Sequence, residues 1–129
     1  MTHKTYDALK LQLENLCNRT TDEKGPAYTG ESKDMLANFK SMANRFNISP
    51  IIVWAIYFNK HVDAVNSFIK NPSLSQGSEP IESRFVDIIN YSYLGYALLE
   101  DEREKLENIY KDSATDSTVV RNIIAEFVR

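Results

Sequence analysis

The sequence predicts an all-α fold: a bundle of five or six helices in one domain spanning residues 1–129. Three observations carry that prediction. Apolar residues recur at steps of three and four through most segments, the period of a helix with one buried face. Only four Gly and four Pro are present, too few for a loop-rich β architecture. Hydrophobic residues make up 43% and charged residues 26%, an ordinary globular balance in a chain able to bury roughly two-thirds of its unfolded surface.

Taken in order, residues 4–19 carry Tyr6, Leu9, Leu13 and Leu16 along one helical stripe. The stretch RTTDEKGPAYTGES then has the Gly, Pro, Thr and Ser of a long loop. A second helix is expected from Ser32, a good N-cap with Asp34 in the first turn, presenting Met35, Leu36, Phe39, Met42, Ala43 and Phe46. Asn47 closes it, and Ser49-Pro50 opens the third: a capping residue, then Pro at the first helical position. The run IIVWAIYF alone would also suit a strand. Trp54, Phe58, Val62, Val65 and Ile69 keep helical spacing, so residues 50–70 read as a helix. After NPSLSQGSE, Pro80 starts a fourth, apolar nearly all round to Leu99 and polar from EDEREKLENIYKD onward, as one helix or two over 80–111. Gly95 offers a place for close packing, and Val120, Ile123, Ile124 and Phe127 mark a last amphipathic segment.

Helices apolar on every side are central or lie between subunits, so the third and fourth predict a homo-oligomer. The net charge of −3 argues against sequence-independent binding to nucleic-acid backbone, which needs a positive field, but allows a small anion held by a few cations. Cys17, the single cysteine, cannot form an internal disulfide. MTHKTYDALK lacks the apolar core of a signal peptide, and Phe85–Leu99 is shorter than the ~20 residues needed to span a bilayer. The expected setting is the cytoplasm, with no membrane partner.

Two polar rows interrupt the apolar helices. On the fourth, Glu79, Ser83, Asp87 and Asn90 fall close to one line, with Glu82 beside it. Carboxylates at a helix start are favoured by the helix dipole, so Glu79 and Glu82 need no ligand to explain them. Asp87 and Asn90 lie among apolar neighbours, where a carboxylate must be answered by a partner. Arg84 or Lys60 is a structural candidate for that partner; a ligand pocket is the alternative. On the third helix, Asn59, Lys60, Asp63 and Ser67 form a row that runs back into Val53 and Ile56, as expected of a face lining a cavity. His61, at the margin of the apolar side, reads as a core histidine. With only His3 besides, no zinc constellation exists, and neither a nucleophilic triad nor a Gly-rich phosphate loop can be assembled. In the loop DEKGPAYTGE, Lys24 and Tyr28 supply a cation and an aromatic face, the pair a nucleotide site uses for phosphate and base.

KGPAY, LANF, NKHVDAV and SEPIESRFVDIINY, in this order, resemble small bacteriophage proteins related to the "nucleotide modification associated" domain. They are more distantly similar to the all-α MazG-like nucleoside triphosphate pyrophosphohydrolases. The resemblance covers residues 22–100. It implies a MazG-like oligomeric bundle with a nucleotide pocket between helices, in the cytoplasm of an infected bacterial host. In hydrolytic relatives, acids on two helices hold magnesium against the triphosphate. Carried over, that set would be Asp63, Glu79, Glu82 and Asp87. Where an E-x-x-E pair is expected on the earlier helix, however, this chain has Lys60, His61 and only Asp63. Lysine in place of a carboxylate removes a metal ligand and adds a phosphate counter-charge. The expectation is therefore a non-catalytic binder without a cofactor. By analogy with small oligomeric phage proteins that sequester the cyclic nucleotides of immune signalling, its ligand would be a signalling (cyclic) nucleotide withheld from host immunity. Its site would comprise Lys24, Tyr28, Lys60, Asp63, Arg84, Asp87, Asn90 and Tyr91. A magnesium-dependent pyrophosphohydrolase and a structural helical adaptor are the alternatives.

Overall fold

The computed structural model describes residues 1–30, 32–73, 77, 79–112, 122 and 125. Its described residues form four helices and no strand: α1 His3–Thr29, α2 Ala37–Phe46, α3 Pro50–Lys70 and α4 Ile81–Asp112. None is long and apolar enough to cross a membrane. Val120, Ile123, Ile124 and Phe127, the expected last amphipathic segment, lie outside the described residues.

α1 departs most from expectation. Thr2 caps it, its Oγ1 accepting the Thr5 amide at 3.2 Å. It then runs ten residues past position 19, so Lys24 and Tyr28 stand on helical turns and not in a loop. The Gly-Pro pair reads as a break because proline removes an N–H donor and crowds the preceding turn. Here one lost donor is tolerated. The hydroxyls of Thr21 and Thr29 bond the carbonyls of Cys17 and Gly25 at 3.1 and 3.2 Å. The helix stops only at Gly30, whose positive φ of 61° suits glycine and whose N–H reaches the Pro26 carbonyl at 2.9 Å.

α2 starts five residues later than Ser32. The Ser32 hydroxyl and the Asp34 carboxylate each accept an amide two residues on, from Asp34 and Leu36, making successive side-chain turns instead of a helix cap. Asn47 ends α2 in the left-handed conformation, φ 54° and ψ 48°. Pro50 sits in the first turn of α3 after Ser49, which occupies the cap position without a side-chain bond. A single helix covers 81–112.

The core lies where α2, α3 and α4 meet. Phe39 and Ala43 of α2, Val53 of α3 and Leu98 of α4 are buried together with Leu36. Trp54 and Tyr91 extend this cluster and are tied by the indole N–H donating to the Tyr91 carbonyl at 2.6 Å. Gly95 is required here, since a Cβ at that position would overlap the Trp54 ring. α1 packs against α4 and more lightly against α2, with no close backbone approach to α3 among the described residues. Several apolar side chains stay exposed, among them Tyr6 and Leu9 on α1, Ile52 and Ile56 on α3, and Phe85, Tyr93 and Tyr96 on α4. Of the two apolar positions into which the polar row of α3 runs, Val53 is buried as expected and Ile56 is exposed, and Asn59, Lys60, Asp63 and Ser67 are themselves exposed.

Candidate functional site

Between the last turns of α1 and the paired helices α3 and α4 lies a cleft of about 630 Å³. α1 contributes Lys24 and Tyr28, α3 contributes Lys60 and His61, and α4 contributes Arg84, Asp87, Asn90 and Tyr91. The separation of α1 from α3 leaves this space, and α4, which touches both, floors it. Seven of the eight residues expected to bind a nucleotide therefore line one cavity; Asp63 does not. Helical rotation explains both outcomes. Tyr57, Lys60 and His61 fall on one side of α3, whereas Asp63 points to its exposed side.

The four acids of the magnesium alternative are not brought together. Glu79 and Asp87 line the cleft, while Asp63 and Glu82 are exposed outside it. No group of three or more His, Cys, Asp or Glu converges as a metal site among the described residues. Ser83, expected in the polar row, turns back to bond the Pro80 carbonyl at 2.7 Å.

Charge in the cleft is balanced. Lys24, Lys60 and Arg84 face Asp22, Glu79 and Asp87. Arg84 pairs with Glu79, not with Asp87, at 3.2 Å. Lys24 and Lys60 make no ion pair among the described residues, so two cations are available to an incoming anion.

Asp87 is the least accessible of the carboxylates here, its side chain 17% exposed. The nearest polar partner is one that sequence reasoning had assigned to the core: His61 Nδ1 lies 3.3 Å from Asp87 Oδ2. The distance is short, yet Nδ1 is buried without a properly directed hydrogen bond. Burial lowers the His61 pKa below its ordinary 6.5, and although the Asp87 charge opposes this, Arg84 and Lys60 reinforce it. The imidazole is therefore neutral near pH 7, and the contact is a dipole beside a carboxylate, not an ion pair.

Aromatic rings complete the wall. Tyr91 is half-buried, 5.1 Å from the His61 ring, 6.1 Å from Phe39 and 6.3 Å from Tyr57, centroid to centroid. Burial pushes its phenol up to about 12, with the nearby Tyr28, Asp87 and Tyr57 adding to the shift, so it stays protonated. Tyr28, on α1, is 63% exposed at the rim. Asn90 joins the walls: its Nδ2 donates to the Cys17 carbonyl of α1 at 3.2 Å. Asp22, Phe39, Tyr57 and His61 were missed as site members. The spacing of Tyr57 and His61 around Lys60 was the available signal for the last two.

No protein-family model, curated protein or solved structure matches this chain.

Proposed function

We propose that this protein is a non-catalytic nucleotide binder that captures a small signalling nucleotide, of cyclic type, in the cleft between α1 and α3–α4. One observation carries the reading: two lysines with no ion pair among the described residues and a set of tyrosines line the same cavity, whose volume of about 630 Å³ falls within the usual range of ligand pockets. Cations meet phosphate and aromatic faces meet bases. The charge balance favours a cyclic nucleotide over a triphosphate. A triphosphate brings several negative charges and commonly travels with magnesium. A cyclic nucleotide brings one phosphodiester charge per phosphate, matched by Lys24 and Lys60. Biologically, the proposed role is a bacteriophage sponge that withdraws an immune signal in the host cytoplasm. The proposed form is a homo-oligomer, which would cover the exposed apolar side chains of α1, α3 and α4.

A thermal-shift screen with linear and cyclic nucleotides tests binding, since a ligand at 100-fold its dissociation constant adds about 2.7 kcal/mol of stability. Lys60→Ala should weaken binding with the unprotected melting temperature unchanged, because Lys60 is exposed and has no ion pair among the described residues. Pyrophosphate release from a nucleoside triphosphate and magnesium, abolished by Asp87→Ala, would replace this reading with the hydrolytic one. No shift with any nucleotide would leave the helical adaptor.

A further inference from the structure

Resting on the nucleotide reading, we infer that Asp87 and Asn90 make the cleft selective for guanine. Around Asp87 the wall offers hydrogen-bond acceptors. Neither Asp87 oxygen receives a hydrogen bond from the described residues, and His61 Nδ1 stands 3.3 Å from Oδ2 without forming one. Asn90 uses one amide N–H on the Cys17 carbonyl at 3.2 Å, which leaves it a second N–H and the side-chain oxygen. Asp87 and Asn90, about one helical turn apart on α4, thus line the same cavity beside Tyr91.

An ionised carboxylate accepts two hydrogen bonds side by side and donates none. The Watson–Crick edge of guanine presents two neighbouring donors, N1–H and the 2-amino group. Adenine presents one donor and one acceptor there, so a carboxylate bound to its amino group would set the second oxygen against the lone pair of the ring nitrogen. Hypoxanthine keeps N1–H and lacks the 2-amino group. The ranking expected of this wall is guanine first, hypoxanthine next, adenine last. The same histidine marks the wall as incomplete when empty: His61 is only 8% exposed, lines the cavity, and its buried Nδ1 has no hydrogen bond among the described residues. The lysines lie on other helices, leaving the base edge to α4 and the phosphate to Lys24 and Lys60.

The test uses the full chain and calorimetric dissociation constants for cyclic mono- and dinucleotides of guanine, hypoxanthine and adenine. The guanine ligand should bind roughly tenfold or more tightly than its adenine counterpart, the discrimination of a good bidentate contact. Asp87→Asn then replaces one acceptor by a donor, and should exchange preference from guanine to xanthine, whose 2-oxygen accepts where the amino group donated. Equal affinities across the bases, as contact with ribose hydroxyls alone would give, overturn the inference while leaving nucleotide binding intact. Adenine preference also overturns it. Absence of binding by every nucleotide overturns the underlying reading instead. The wild-type series needs no variant, so the outcome stands even where Asp87→Asn fails to fold.

Discussion

Phe39 and Leu98, 1% and 0% exposed, sit where α2, α3 and α4 interlock; Tyr6 and Leu9, 57% and 47% exposed, sit on a helix with a single buried residue, Cys17. The two regions are held by different means. The three-helix core is closed by apolar burial and by the indole bond of Trp54. α1 is attached more sparsely, through buried Cys17, half-buried Leu13 and Leu16 and the Asn90–Cys17 hydrogen bond, with a groove of about 440 Å³ left beside Leu13, Ile89 and Tyr93. Apolar burial is concentrated on one side of the molecule, and the residues proposed to bind a ligand on the seam with the other. A cleft needs polar, imperfectly filled walls, and these are tolerable only where the fold does not depend on them.

The sharpest way to break this contrast is Phe39→Ala. Removing a side chain 1% exposed at the centre of the core should cost about 3–5 kcal/mol in denaturant unfolding. A loss below ~1 kcal/mol would show that the core carries less of the stability than its burial implies. Gly95→Ala is the next largest. The new methyl must displace the Trp54 indole, at about 1–3 kcal/mol, visible as a lowered melting temperature and altered tryptophan emission.

The smallest effect sharpens the seam. His61 has a folded pKa below its unfolded value of 6.5, so the unfolded chain takes up its proton first as pH falls. Its contribution therefore favours the fold above pH 6.5 and is lost as pH drops below that value, levelling off once the folded group also titrates. Melting temperatures measured from pH 7.5 to 5 should decline for the wild type and less steeply for His61→Gln. A wild-type profile rising toward acid would mean that Asp87 holds a charged imidazole after all.

How far the sequence reveals this depends on the kind of signal. The bounds of α3 were readable because Ser49-Pro50 and a sustained apolar period agree, and Gly95 because its neighbours leave it no other role. α1 reads short in the sequence because Gly25-Pro26 is strong local punctuation, whereas in the fold a proline at position 26 removes a single N–H donor and the turns on either side stay helical. Ser32 looked like a cap since it does accept an amide, but in a turn preceding the helix. Asp87 betrayed the seam by being charged within an apolar run. His61 was hidden by the same rule, because a histidine on an apolar face fits a core equally well until Asp87 is seen across from it. Asp63 was included for its charge and falls outside because rotation along α3 turns it toward solvent.

The chain's single tryptophan has a practical consequence. Trp54 donates to the main-chain oxygen of Tyr91, whose ring is part of the cleft wall. Any occupant that moves this tyrosine also changes the surroundings of the indole. The molecule thus carries its own optical probe: emission excited beyond the tyrosine absorption band follows events at the wall, with no dye attached and no residue replaced.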